Sequence, residues 1–265
     1  MDALAQFKET QKKSWAHFAP LATLTTPPAA QLVRHAGVKP GQRVLDVACG
    51  TGVVAVTAAR QGAKATGLDL TPELLAHARE NAAIAQVTVE FHEGDVEALP
   101  FEAGSFDVVL SQFGHMFAPR PEVAVGEMLR MLKPGGTLAF TTWPPELYIG
   151  RIFTLVARYL PPPPVPAAPP PQWGSPDVIR ERLGSAVRDI VFDRGTMHVP
   201  ALSPEHNRVL TEQTAGPILR VVEMLQGKDP GRLAEFRREF DGITKDYVED
   251  NVLRQDFLMT RATKV

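Results

Sequence analysis

Short apolar runs alternate with longer amphipathic stretches through the first half of the chain, and this pattern predicts strands followed by helices. Five runs are apolar, rich in β-forming residues and bounded by turn residues: RVLDVA (43–48), KATGLDL (64–70), VTVEFH (87–92), FDVVLSQF (106–113) and TLAFTTW (137–143). Helical patterns lie between them at 53–61, 72–83 and 121–132. Strands that alternate with helices at this spacing predict a parallel sheet covered on both faces, the mark of an α/β fold.

The segments on either side of this region depart from the alternation. Residues 4–36 have helical patterns broken by Pro20 and by Pro27–Pro28, which predicts a helical lid. The run PPPPVPAAPPP (161–171) has neither the donors nor the backbone freedom for a helix or a sheet ladder. We therefore expect an extended loop there, either a rigid spacer or a wall of a substrate cleft.

The last part of the chain returns to regular patterns. A strand is predicted over 186–199, after a helix at 176–183, and helices are predicted over 203–250 with caps or stops at Ser203, Gly216 and Asp229. The final run, QDFLMTRATKV, alternates and is β-rich, but no crossover helix directly precedes it. Such a strand is expected to be antiparallel and inserted at the sheet edge.

Composition and charge narrow the class of partner. Of the 265 residues, 44% are hydrophobic, and 28 basic and 30 acidic side chains are interspersed along the chain for a net charge of −2. No charged field favours nucleic acid or an anionic membrane, so a small molecule is the expected partner. The single cysteine, Cys49, excludes an internal disulfide framework, and neither a signal peptide nor a membrane-spanning run is apparent, which predicts a cytoplasmic protein.

A glycine-rich stretch, VLDVACGTGVVA (44–55), raises the question of which cofactor it holds. Gly50, Gly52 and Ala55 fit the G-x-G-x-x-G/A pattern of dinucleotide-binding loops. Asp46, however, lies inside the strand that precedes the loop. A carboxylate there would repel a pyrophosphate but would attract the ammonium and sulfonium of S-adenosylmethionine, so the charge favours the cationic cofactor.

Five motifs together resemble a known family. VLDVACGTG, GLDLT (67–71), GDVEALPF (94–101), FDVVLSQF and LKPGG (132–136), in this order and spacing, resemble the motifs of class I S-adenosylmethionine-dependent methyltransferases, particularly the ubiquinone/menaquinone-biosynthesis type. The resemblance covers roughly residues 40–145. It implies a Rossmann-like methyltransferase fold, which is a doubly wound seven-stranded sheet with an antiparallel last strand, together with a helical cap. It implies no chemistry for LKPGG, which we expect to be a structural turn.

The resemblance also implies which residues hold the cofactor. Those facing the methionine part lie at the end of the first strand and in the loop after it: Asp46, Ala48, Gly50, Thr51 and Gly52. Those for the ribose and adenine follow the second and third strands: Asp69, Leu70, Asp95 and Val96. Those beneath the sulfonium end the fourth strand: Ser111, Gln112 and Phe113.

The acceptor is expected to be ring-containing or lipophilic, because the variable segments supply aromatic residues with few fixed charges. The candidates for its pocket are Trp15, His17, Phe18, Phe113, Trp143 and Trp173. His115, just past the fourth strand, is either a residue of the acceptor pocket that acts as a general base or a loop histidine bonded to backbone. No carboxylate cluster suggests a metal, so none is predicted.

Several readings stay open. The chain is predicted to be a methyltransferase acting on a small molecule, and the alternatives are an adenosylmethionine-binding protein with regulatory or non-methylating activity, a nucleic-acid methyltransferase and an NAD-dependent oxidoreductase. The attacking atom (O, C, N or S) and the oligomeric state are left open. The patterns divide the chain into a helical N-terminal lid (1–39), a cofactor-binding core (40–145), the proline-rich loop with remaining core elements (146–202), a helical substrate cap (203–250) and the final core strand (251–265).

Overall fold

One mixed sheet organises the chain in the computed structural model, which describes residues 2–265. Its strands are β1 (Arg43–Val47), β2 (Lys64–Asp69), β3 (Val89–Glu93), β4 (Phe106–Gln112), β5 (Leu132–Thr142), β6 (Val187–Pro200), β7 (Val248–Glu249) and β8 (Val252–Lys264). The main path has the order β3-β2-β1-β4-β5-β8-β6, and the short β7 pairs with β8. The first five strands are parallel, whereas β8 is antiparallel to its neighbours. The predicted α/β class and the antiparallel last strand are confirmed.

The position of β8 differs from the expectation. The sequence pattern predicts this strand at the sheet edge, but it lies between β5 and β6, and β6 forms the edge. β8 pairs with β5 on one side and with β6 on the other, from Val187 to Pro200, so neither of its edges is free. β6 is the strand predicted over 186–199, but the sequence pattern does not tell that it lies outside β8.

The helices cover both faces of the sheet and one end of it. They are α1 (Ala3–Trp15), α2 (Thr26–Ala36), α3 (Val53–Arg60), α4 (Pro72–Ile84), α5 (Pro121–Met131), α6 (Tyr148–Tyr159), α7 (Pro176–Leu183), α8 (Pro204–Thr214), α9 (Gly216–Leu225) and α10 (Pro230–Lys245). Short 3₁₀ segments occupy Ala16–Thr25, His115–Phe117, Pro170–Gly174 and Gly184–Ala186.

Period-two alternation in the strands divides the core between the two faces. Val44, Val108 and Ala139 pack with α2 and α3 on one face. Their sequence neighbours Leu45 and Val109 belong to the larger core on the other face, with α5 to α7. The central strands are apolar on both sides because helices cover both sides.

Helix starts follow the local signals. Ser203 and Asp229 accept hydrogen bonds from the backbone N–H groups of His206 and Arg232, so both predicted caps are confirmed. Thr71 occupies the N-cap position of α4, but its side chain makes no capping bond there.

LKPGG is not the turn that the sequence suggests. β5 already begins at Leu132, which lies opposite Phe106, and the β4–β5 register shifts between Phe106 and Val108. Gly135 has a φ of 77° within this stretch. Glycine and proline here mark a bulge inside a continuous strand, because the same residues suit both irregularities.

The N-terminal segment has two parts with different packing. α1 buries none of its residues, whereas Leu32 and Val33 of α2 are fully buried against the sheet. The 3₁₀ segment that contains Pro20 connects them. Only α1 and this 3₁₀ segment are therefore positioned as a cover.

None of the helices within residues 2–265 has both the length and the apolar character that crossing a membrane requires.

Candidate active site

A cleft opens at the carboxyl ends of the parallel strands. The loops that follow β1, β2, β3 and β4, with α1 and the 3₁₀ segment held against them, form one half of it, and α6, α8 and α9 contribute to the other. This is where open α/β sheets bind ligands, because the loops after the strands diverge there.

The loop after β1 has an unusual backbone. Ala48, Gly50 and Gly52 all have positive φ, at 53°, 53° and 77°. A Cβ on Gly52 would lie 2.9 Å from the ring of Phe91, so glycine is required there for space as well as for conformation. Ala48 has the same conformation without being glycine, and such strain is found mainly at functional sites.

The loop after β4 touches the first loop closely. A Cβ on Gly114 would lie 2.7 Å from the carbonyl oxygen of Ala48. Phe113, just before it, also has a positive φ of 60°. The two loops therefore form one compact floor of the cleft, with little side-chain bulk between a ligand and the backbone.

Asp46 carries a free carboxylate oxygen into this floor. Its side chain lines the cleft but is only 1% exposed. Oδ2 accepts a hydrogen bond from the backbone N–H of Ala55 at 3.0 Å, and Oδ1 has no partner within residues 2–265. Burial raises the pKa of this carboxyl well above its ordinary value, against the bond from Ala55, and the charge of Asp69 raises it further. The carboxylate thus lacks a positive partner that a cationic ligand would supply.

Asp69 ties two of the loops together. Oδ2 accepts from the backbone N–H of Gly50 and Oδ1 from that of Thr71, each at 2.8 Å. Burial raises the pKa of Asp69, while these two bonds oppose the rise. A carboxylate has about four acceptor positions, so the group can still accept from a diol. Asp69 therefore also has a structural role, in which it links the loops after β1 and β2, and sequence reasoning missed this role.

Asp95 binds the N-terminal helix. Oδ2 lies 2.5 Å from the ammonium of Lys8 on α1, and the same ammonium is 2.6 Å from Glu97 Oε2. Glu97 is buried and also accepts from the guanidinium of Arg120 at 2.8 Å. Lys12, one turn further along α1, pairs with Glu93. Because α1 buries no residues, these ion pairs are a main attachment of the helix to the sheet.

The other cofactor candidates divide between the cleft and the core. Thr51, Leu70, Val96 and Gln112 line the cleft, and Gln112 also donates to the backbone oxygen of Thr25 at 2.8 Å. Ser111 is fully buried and does not line the cleft. Its hydroxyl donates to the Val47 oxygen at 2.8 Å and so joins the ends of β4 and β1.

Four predicted pocket aromatics do come together. Phe113 and Trp143 stack with ring centroids 3.9 Å apart and planes 11° apart. Trp15 and Phe18 meet edge to face at 6.0 Å on the covering segment. All four line the cleft. They contribute two pairs of aromatic rings to its lining.

Three other candidates lie elsewhere. His17 lines a separate surface depression beside Arg60 and His77. Trp173 is buried below the cleft, with the Arg182 guanidinium 4.5 Å from its ring. The proline run 161–171 contributes no residue to the cleft lining.

His115 is also enclosed in the core rather than presented to the cleft. Its ring lies 4.7 Å from Phe140 and 4.8 Å from Trp173, and neither nitrogen has a partner in the described chain. Desolvation, with a smaller contribution from Arg182, lowers the pKa of His115 to about 3. The imidazole is therefore neutral and does not reach the cleft, which leaves it no contact with an acceptor there.

The half of the cleft formed by α6, α8 and β6 contains a cluster of hydrogen-bonded polar side chains that sequence reasoning missed. The Tyr148 hydroxyl accepts from Asn207 Nδ2 at 2.9 Å and lies 3.3 Å from Thr244 Oγ1. Burial raises the pKa of Tyr148 to about 12, so the phenol is protonated. The surrounding lining is apolar, with Ile152 and Met197 among its members.

The charged side chains of the cleft lie in the half opposite α6, α8 and β6. The charged side chains that line the cleft are Lys8, Asp46, Asp69 and Asp95. Among residues 2–265, no group of three or more histidine, cysteine or acidic side chains is arranged to hold a metal ion.

Comparison with known proteins agrees with this geometry. Residues 45–140 match a family model described as a methyltransferase domain. An uncharacterised protein of Mycobacterium tuberculosis is 35% identical over 259 residues, which is 96% of this chain and 94% of that protein. The demethylmenaquinone methyltransferase of Thermus thermophilus is 41% identical over 109 residues, 40% of this chain and 50% of that enzyme. A solved structure of a putative methyltransferase from Bacillus halodurans superposes with a TM-score of 0.58 at 24% identity, covering 89% of this chain and 98% of that one.

Proposed function

Since the chain belongs to the class I S-adenosylmethionine-dependent methyltransferases, we propose that it transfers a methyl group to a small, ring-containing or lipophilic acceptor. The family defines the cofactor and the fold. The acceptor is inferred from the part of the cleft that the cofactor residues do not form.

The division of charge in the cleft is the observation that supports this acceptor. The four charged lining residues lie on the cofactor side, and the other half is lined by apolar side chains such as Ile149, Phe153 and Ile218. An apolar wall of this kind favours flat or lipophilic molecules and disfavours charged ones. It also argues against nucleic acid, whose phosphates need basic partners.

The residues of the cofactor half fit S-adenosylmethionine. When bound, this cofactor supplies an activated methyl group and a neutral leaving group. Asp46 Oδ1, which has no partner among the described residues, would take the ammonium of the methionine part. Asp69 would accept from the ribose hydroxyls, and Asp95 with the Val96 backbone would hold the adenine.

The chain's own contribution to transfer is alignment and exclusion of water. The stacked Phe113 and Trp143 provide a rigid surface, and α1 with its 3₁₀ segment closes the cleft from above. Within residues 2–265, no basic side chain lines the acceptor half, and the Tyr148 phenol is held protonated. We therefore infer that no side chain of the acceptor half serves as a general base.

The experiment is a transfer assay with radiolabelled S-adenosylmethionine and a panel of phenols, quinols, heterocycles and amines, read as labelled product and S-adenosylhomocysteine. Transfer to a ring-bearing acceptor supports the proposal. Asp69→Asn should lower the rate, whereas Glu80→Gln, an exposed change on α4, should not.

Other results would favour the alternatives. Tight cofactor binding without transfer to the panel or to a cell extract would indicate a regulatory or non-methylating protein. Transfer of the label to nucleic acid would indicate a nucleic-acid methyltransferase. Binding of NADH in preference to S-adenosylmethionine would indicate an oxidoreductase.

A further inference from the structure

A buried amide stands out in the apolar half of the cleft. Asn207 on α8 is 2% exposed, yet it lines the cleft among Ile218, Met197 and Phe240. Burying an amide among apolar side chains is costly unless its polar atoms are hydrogen-bonded. The partners of this side chain therefore indicate its role.

Only part of the Asn207 amide is satisfied. One Nδ2 hydrogen goes to the Tyr148 hydroxyl, and this is its one side-chain hydrogen bond within the described residues. A carboxamide has two N–H donors and an oxygen with two lone pairs. One donor and the oxygen therefore stay available on the cleft side.

The neighbours of Tyr148 fix the direction of that amide. Thr244 donates its own hydroxyl hydrogen to the Phe240 backbone oxygen at 2.8 Å. Its oxygen is then left to accept from Tyr148, at 3.3 Å. Because the Tyr148 hydroxyl donates its only hydrogen to Thr244, it must accept from Asn207. The amide is therefore held with its nitrogen toward Tyr148.

We propose that Asn207 selects the acceptor by hydrogen-bonding a neutral hydroxyl group that the acceptor carries in addition to the atom that is methylated. A hydroxyl can both donate to the free amide oxygen and accept from the free N–H, which a carbonyl or an ether cannot. Tyr148 is the positioning residue that orients the amide. The inference rests on the proposed function for the location of the acceptor.

The charge of the wall restricts the group further. In the part of the chain that the structure describes, no charged side chain lines this half of the cleft. A carboxylate or phosphate placed beside Asn207 would be desolvated without a counter-charge, which is strongly unfavourable. The substrate class is therefore a neutral, ring-containing hydroxyl compound.

The test measures binding of three matched probes to the full chain with S-adenosylhomocysteine present. 2-Naphthol donates and accepts, 2-methoxynaphthalene only accepts, and 2-methylnaphthalene does neither, while the ring stays the same. The wild-type protein should bind 2-naphthol about tenfold more tightly than 2-methylnaphthalene, because the amide is otherwise left unpaired.

Three variants locate the preference. Asn207→Leu, which keeps the approximate volume, should bring the ratio of the two affinities close to one. Tyr148→Phe should release the amide to rotate, so that 2-methoxynaphthalene gains relative to 2-naphthol. Val209→Ala, a half-exposed position on the same helix and outside the cleft lining, is the matched control and should leave the ratio unchanged.

Two results would overturn the proposal. One is a ratio of 2-naphthol to 2-methylnaphthalene affinity that is unaltered in Asn207→Leu. If all three probes also bind equally more weakly and the melting temperature falls, Asn207 is only a structural link between helices. The other is a wild-type protein that binds no probe or does not distinguish them. The transfer assay is separate, so a retained probe preference without methyl transfer would count against the proposed reaction but not against the Asn207 site.

Discussion

Replacing the buried carboxylate of Asp46 by an amide tests whether this cleft is built for a cation. Asp46→Asn keeps an oxygen that can accept from the Ala55 backbone N–H at 3.0 Å. It removes the charge and leaves the shape unchanged. The variant should therefore fold and melt cooperatively but bind S-adenosylmethionine more weakly.

The magnitude follows from the environment of the carboxylate. Two unit charges about 4 Å apart interact by about 4 kcal/mol at an effective dielectric constant of about 20. If lost hydration of the cation offsets half of this, about 2 kcal/mol remains, which is about a thirtyfold change in Kd. S-adenosylhomocysteine keeps the ammonium that Asp46 is proposed to hold, so its affinity should fall by a similar factor.

The same carboxylate makes cofactor binding depend on pH. Burial raises the pKa of Asp46 in the folded protein. Its contribution to stability is therefore present at low pH and is lost as the pH rises through the raised folded-state pKa. A cationic ligand favours the ionised form, so binding should release a proton and affinity should rise with pH through this window.

Calorimetry in two buffers of different ionisation enthalpy counts the released protons directly. Asp69→Asn is the comparison, because Asp69 is expected to meet neutral ribose hydroxyls and its own pKa is also raised by burial. It should lower affinity but retain most of the proton release. An Asp46→Asn protein with wild-type affinity and undiminished proton release would refute the assignment of Asp46 to the cation.

Three further changes test other parts of the site. Gly114→Ala should lower the free energy of unfolding by about 2 kcal/mol and weaken cofactor binding, because the added Cβ would lie 2.5 Å from the Cβ of Ala48. Calorimetric melting measures the loss of stability. Lys8→Met should increase deuterium exchange across α1, and high salt should do the same in the wild type. Unchanged exchange would show that the ion pair between Lys8 and Asp95 does not hold the helix. His115→Leu should leave turnover largely intact, whereas loss of a general base would cost at least about 100-fold.

The strands were predictable because their burial is recorded in local sequence. Each run from β1 to β4 is found within two residues of its predicted limits. The central strands β1 and β4 are apolar because helices cover both faces, whereas the edge strand β3 alternates and buries none of its residues. β5 is the exception, and its early start at Leu132 reflects pairing across a bulge with Phe106. Turn-forming residues do not reveal whether the chain turns or continues through a bulge.

Side-chain direction and distant pairing were not predictable. His115 follows a strand that ends at the cleft, but the short 3₁₀ turn beginning there directs its ring into the core. Lys8 meets Asp95 across 87 positions of sequence, and no local pattern signals that contact. Asn207 lies in an amphipathic helix, where a polar residue normally indicates the solvent face.

The separation of charge within the cleft also affects how the protein can change over evolutionary time. The charged cofactor side comes mainly from loops inside the region 45–140, whereas α6 and α8 to α10 lie outside it. Mutations that reshape the apolar wall can then accumulate without disturbing the loops that hold the methyl donor. If these helices form the acceptor wall as proposed, new acceptors can be acquired by changes in them while the cofactor loops are inherited, so lineages that share this core would diverge first in what they modify.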